Sequence, residues 1–96
     1  YIVKYNEEAA FGKYRKIYNY ISAEKKSESE FSKGMLEQAV RELNTQVGIP
    51  AKLSHAGVTD EYFAQMTEDA MKSGNIAVNP QKTVREDILA LYKEAL

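Results

Sequence analysis

Few side chains in this 96-residue chain are of the kinds that hold metals or attack substrates. His55 is the only histidine and there is no cysteine, so a histidine-cysteine zinc set is out of reach, and neither His-Glu-x-x-His nor Glu-x-x-His occurs. A metal would have to be held by carboxylates alone. The acidic pairs Glu7-Glu8, Asp60-Glu61, Glu68-Asp69 and Glu86-Asp87 offer eight of them, but neighbours on a helix point about 100° apart and cannot both face one ion. Three of the pairs fall at or near expected helix starts, where they complement the helix dipole. Ser54-His55 sets a base beside a hydroxyl, yet adjacent residues in a turn seldom align for proton transfer, and no third residue is placed to orient the ring. Gly12, Gly34, Gly48, Gly57 and Gly74 are isolated, which leaves no phosphate-cradling loop. No catalytic, cofactor-binding or metal-binding residue is expected within this segment.

Five of the seven tyrosines, Tyr1, Tyr5, Tyr14, Tyr18 and Tyr20, lie in the first twenty residues among Lys4, Lys13, Arg15 and Lys16. A base-stacking surface would need a basic excess, and 13 basic against 14 acidic side chains give a net charge of −1. Half-buried rings with wet hydroxyls are the expectation, and no nucleic-acid partner is expected. Ile2 and Tyr1, Tyr5, Tyr14 and Tyr18 are expected to form an apolar face that some neighbour covers.

Those residues must be carried by helices. Apolar side chains recur at three- and four-residue steps throughout, and period-two alternation is never sustained, so the fold class is all-α, four to five helices over roughly two-thirds of the residues, about twice the usual share. Tyr1 to Asn6 reads as a helix tail, followed by a helix near Glu8–Tyr20 and a polar connector from Ser22 to Ser29. A long helix from Glu28 to Val47 is opened by Ser27 and Glu30 at capping-box spacing and closed by Gly48, with Phe31, Met35, Ala39, Val40, Leu43 and Val47 as its stripe. Residues 52–57 make a single turn ended by Gly57. Thr59 caps the next helix, Tyr62, Phe63, Met66 and Ala70 face inward, and Ser73-Gly74 stops it. Asn79-Pro80 forces an extended turn, after which Thr83 and Glu86 open a last helix lined by Val84, Ile88, Leu91, Tyr92 and Ala95.

With 44 % hydrophobic and 28 % charged residues the chain has the composition of a soluble domain, and its length allows one domain, residues 1–96. No apolar run approaches the ~20 residues of a membrane span, and no basic-then-apolar signal opens the chain, so no membrane partner is expected. Absence of cysteine is compatible with a cytoplasmic location. YIVKYN begins without methionine inside what reads as a helix under way, so the chain is expected to be a segment of something longer.

The pieces YIVKYN, KYRKIY, LNTQVGIPAKLSHAGV and EDAMKSGNIAVNPQKTVREDILALYKEAL, in that order over nearly all of the chain, resemble the C-terminal end of the iron-containing (group III) alcohol dehydrogenases. The resemblance implies the C-terminal portion of an all-helical, metal-binding domain of dehydroquinate-synthase-like type. In the family this domain follows a nucleotide-binding α/β domain, and iron or another divalent metal and NAD(P) lie in the cleft between. The parent would interconvert primary alcohols and aldehydes by hydride transfer, as a homo-oligomer. The family's ligands, an aspartate and three histidines, lie upstream of Tyr1 and none maps here, so the segment alone is expected to bind neither iron nor NAD(P) and to be inactive. Its partners are then the remainder of the parent chain and, in the parent, a small alcohol or aldehyde. Many relatives have a cysteine near the substrate pocket four residues before the Asn-Pro asparagine, where this chain has Asn75, which makes Asn75 the one substrate-proximal candidate. The alternative from another class is a free-standing helical module that uses its tyrosine-rich start to hold a partner helix.

Overall fold

The structure is a computed structural model describing residues 1–96, and it is 67 % helical with no strands. Five α-helices run in order: α1 (Ile2–Ile21), α2 (Met35–Gln46), α3 (Phe63–Met71), α4 (Gly74–Val78) and α5 (Arg85–Ala95), with 3-10 turns at Leu53–Ala56 and Asp60–Tyr62. The all-α expectation holds. The two extensive packings are α1 on α2 and α3 on α5.

The expected break after Asn6 does not occur, and tail and first helix are one 20-residue helix. Nothing in residues 1–10 is a glycine or proline, and the Asn6 amide, which in a turn would compete for backbone groups, is taken up by Asn79 instead. Ile2, Asn6 and Ala10 then lie at four-residue steps on one face, with Asn6 and Ala10 buried.

The long second helix is shorter than expected. The Glu30 carboxylate does accept from the Ser27 amide at 2.8 Å, but it closes only an isolated turn, and the helix starts at Met35 after Gly34 takes a left-handed φ of 85°. Phe31 therefore comes from the connector: it is buried between Phe11 and Tyr18, two turns apart on α1, at centroid distances of 5.1 and 5.6 Å. Along α2 burial falls from Leu36, which the expected stripe omitted, to Leu43 and Val47, both more than half exposed. Gly48 and Gly57 end their elements with positive φ, as expected.

On the other side Phe63 stacks on Tyr92 at 5.7 Å, and Ile88 and Thr67 are buried between α3 and α5. Tyr62, expected inward, points out, because it sits in the 3-10 turn before α3, where tighter winding puts it out of phase with the α-helical face. Thr59 precedes that turn but its side chain makes no cap hydrogen bond. The last helix is opened one residue later than expected, with Asp87 accepting from the Val84 amide at 2.9 Å in the place assigned to Glu86.

Thr67 Oγ1 is fully buried and has no hydrogen-bond partner. Replacing the hydroxyl by a methyl of similar shape removes an unsatisfied group, so Thr67→Val is expected to stabilise the chain by about 1 kcal/mol in urea unfolding, and a loss of stability would contradict it.

The molecule measures 43 × 30 × 18 Å with a radius of gyration of 15.0 Å, where a compact chain of this length has about 13 Å. Its thickness is under two helix diameters, so only eight of 96 residues are buried. Tyr1, Tyr5, Tyr14 and Tyr18 are half-buried, as expected of their rings, but they are covered by the chain itself, so of the face expected to need a neighbour only Ile2 stays exposed. Most exposed large apolar side chains lie elsewhere, at Ile17, Tyr20 and Ile21 on α1, at Leu43, Val47 and Ile49 at the end of α2, and at Tyr62, Val78 and Val84.

Candidate substrate-proximal site

The segment joining α3 to α5 is built by two local rules. Ser73, expected with Gly74 to stop a helix, starts one: its extended backbone puts Oγ 3.3 Å from the Asn75 amide, which it accepts, and Gly74 opens α4 in a right-handed conformation. Pro80 then forces Asn79 into the extended region, ψ 136°, which ends α4 after five residues.

The Asn79 side chain turns back onto α1. Asn6 and Asn79 exchange reciprocal amide bonds, Asn6 Nδ2 to Asn79 Oδ1 and Asn79 Nδ2 to Asn6 Oδ1, both 2.8 Å. Thr83, expected as the cap of the last helix, joins this knot: its hydroxyl donates to the Gln81 carbonyl at 2.9 Å and accepts from Asn79 Nδ2 at 2.9 Å. The Tyr5 hydroxyl reaches the same place, 3.3 Å from both Thr83 Oγ1 and the Lys82 carbonyl. At the other end of α1's first turns Lys4 Nζ meets Glu94 on α5 at 2.7 Å, and the Lys4 hydrogen bond holds the Glu94 carboxyl below its ordinary pKa.

Between α1, α4 and α5 lies a cleft of about 230 Å³. Ile2, Ile76, Ile88 and Leu91 make it apolar, and Tyr5, Asn79, Thr83 and Asn75 supply its polar atoms. Asn75 is exposed, so its carboxamide is free to donate and accept where a small ligand with a hydroxyl or carbonyl would enter. The polar atoms of the cleft are amide and hydroxyl groups, which can orient a small ligand by hydrogen bonds. They do not fit an iron ion, being neutral groups without an imidazole or carboxylate.

The other sequence candidates are dispersed. His55 is exposed in the turn Leu53–Ala56, and the Ser54 hydroxyl donates to the Leu96 carbonyl at 2.7 Å. Of the acidic pairs, Glu68 meets Arg85, Asp69 meets Gln65 and Lys72, and Asp87 caps α5. No group of three histidine, cysteine or acidic side chains is arranged to hold a metal. A second cleft, of about 290 Å³, opens near Tyr1, Asn44 and Ile49, and its only charges, Arg41 and Glu37, are paired with each other at 2.7 Å.

Sequence reasoning named Asn75 as a candidate through the family resemblance and saw no partner for Asn6. The signal was present: a carboxamide on the buried stripe between Ile2 and Ala10 has to find a partner, and the asparagine of Asn-Pro has the matching group.

The chain matches, over residues 1–96, the profile described as Fe-containing alcohol dehydrogenase family, C-terminal. It is 37 % identical over 57 residues to 1,3-propanediol dehydrogenase of Klebsiella pneumoniae, covering 59 % of this chain and 15 % of that protein. It is 30 % identical over 96 residues to lactaldehyde reductase of Escherichia coli, covering 99 % of this chain and 25 % of the relative. The chain thus spans a quarter or less of the length of these curated relatives. No solved structure matches it.

Proposed function

Because the chain belongs to the Fe-containing alcohol dehydrogenase family, we propose that it is the C-terminal helical portion of an oxidoreductase that interconverts primary alcohols and aldehydes with NAD(P)(H). The observation that carries this reading is the family match along the whole of residues 1–96, and the Asn75 cleft supports it with a small apolar recess rimmed by hydrogen-bonding groups. The relatives' names point to short substrates, a propanediol and a hydroxyaldehyde, so the proposed substrate class is a short primary alcohol or aldehyde bearing a second oxygen.

In this division of labour iron or another divalent metal, together with NAD(P), is held by residues outside this chain, whose own donors do not fit them. Asn75 contributes a hydrogen bond to the substrate's oxygen, where a soft side chain would contribute none, and the apolar floor excludes water from its carbon chain. A homo-oligomeric parent and a cytoplasmic setting belong to the same proposal and rest on the family alone.

The 96-residue chain by itself is expected to neither quench reduced nicotinamide fluorescence nor oxidise 1,3-propanediol with NAD or NADP. The longer protein that carries it is expected to do so, to lose activity on chelation and to regain it with ferrous iron. Turnover by the 96 residues, or activity indifferent to chelation, would overturn the proposal.

A further inference from the structure

We infer that Asn79 is the positioning residue for Asn75: its carboxamide, locked to Asn6 on α1, fixes the short helix on which Asn75 is presented to the cleft. This rests on the proposed substrate-proximal role of Asn75. Five residues of helix have no stability of their own, and α4 packs along neither of the two helix pairs. Gly74, Asn75, Ala77 and Val78 are exposed and only Ile76 is half-buried, so side-chain burial does little to hold this helix in place.

Its place is therefore set at its two ends. The upstream end has the Ser73 cap at 3.3 Å and the Ser73 amide bond to the Ala70 carbonyl of α3 at 3.0 Å, which tie it to α3 and not to α1. The downstream end has Asn79, which bonds α1 directly and is the first residue after α4 to do so. The Asn79 amide donates to the Ile76 carbonyl at 3.3 Å while its side chain grips Asn6, which is 4 % exposed and sits inside the 20-residue α1. Asn79 Nδ2 has two hydrogens for three acceptors, Asn6 Oδ1, the Gln81 carbonyl at 2.8 Å and Thr83 Oγ1, and Asn6 Oδ1 also accepts from the Gln81 amide at 3.3 Å. Asn75 stands one helical turn before this knot, and both asparagines line the same cleft. A carboxylate in place of the Asn79 amide has no hydrogens to give, so it sets a negative oxygen against the Asn6 carbonyl oxygen and releases α4 at an unchanged side-chain volume.

The test is a double-substitution cycle in the longer protein that carries this segment, with exchange measurements on the 96-residue chain. Asn75→Ala is expected to raise KM for a short diol about three- to tenfold with kcat kept, the size of one lost hydrogen bond. Asn79→Asp is expected to do the same, and the double variant no more than either alone. In the chain itself Asn79→Asp is expected to speed amide exchange at residues 74–78 while α3 and α5 keep their protection. An unchanged KM in Asn75→Ala overturns the substrate-proximal reading of Asn75. A raised KM there, with Asn79→Asp adding its full effect on top, overturns the positioning role alone. Unchanged exchange at 74–78 overturns it too, whether or not turnover is measured.

Discussion

Phe31→Ala is expected to cost about 3–4 kcal/mol, the usual penalty for deleting a buried phenylalanine, and thereby to remove most of the chain's stability. Phe31 is one of five buried hydrophobic residues, and it is the one that lies between helices without belonging to either. Its ring meets Phe11 and Tyr18 on α1 at 5.1 and 5.6 Å, so the connector is pinned where α2 must start. Truncation removes both ring contacts and leaves a cavity where Phe31, with Ala10 and Leu36, makes the buried apolar part of the α1–α2 seam. A domain of ordinary stability has about 5–15 kcal/mol in hand, and one with eight buried residues in 96 lies at the low end. Urea unfolding followed by circular dichroism should show the midpoint falling with Phe31→Ala and partly recovering with Phe31→Leu. A change below about 1 kcal/mol would mean that the seam is held by the helices alone.

That residue also shows where sequence reasoning stopped. Helical periodicity located helices where α1, α2, α3 and α5 run, though not α4, and the turns at Gly48 and Gly57, because a stripe of apolar residues needs no knowledge of its partner. Phe31 fits the α2 stripe at four-residue spacing, and the periodic rule therefore placed it inside a helix. What overrides the rule is tertiary: burying the ring against α1 and turning the chain at Gly34 satisfies both elements at once. The same holds at Asn6, where a polar residue that locally favours a turn is kept helical by an amide seventy-three residues away. Ser73-Gly74 failed for another reason. Serine before glycine is equally a stop for one helix and a cap for the next, and only the right-handed conformation of Gly74 decides which. At the cleft, family resemblance singled out Asn75 as a candidate but gave no sign of the Asn6–Asn79 pair behind it, since hydrogen bonds between distant carboxamides leave no periodic trace.

Glu7→Ala is expected to cost about 2 kcal/mol, more than a surface carboxylate in a helix middle could account for. Glu7 and Glu8 read from sequence as ordinary first-turn acids, and Glu8 is indeed exposed, but Glu7 is buried in the middle of α1. Its Oε1 accepts from the Gly34 amide at 2.5 Å, and Gly34 is the residue that caps α2. One helix therefore supplies the N-terminal carboxylate of another. This matters because α2 has no side-chain cap of its own, so it is the Glu7 carboxylate that takes the Gly34 amide at the positive end of the helix dipole. Alanine removes the acceptor and leaves the Gly34 amide without a partner, whereas Glu7→Gln keeps an acceptor oxygen and loses the charge, so its cost should be about half. A second readout separates charge from packing. Burial raises the Tyr14 phenol above its ordinary value of 10.0 and the Glu7 carboxylate adds to the shift, so Glu7→Gln should bring the Tyr14 titration down part of the way. The sign for stability follows: a raised phenol favours folding at neutral pH, and that contribution is lost as the pH climbs above 10 through the folded-state value. In Glu7→Gln the loss should be smaller and should end at lower pH. Equal stability of Glu7→Ala and the parent sequence, with the Tyr14 titration unmoved, would show that the carboxylate neither caps α2 nor senses Tyr14.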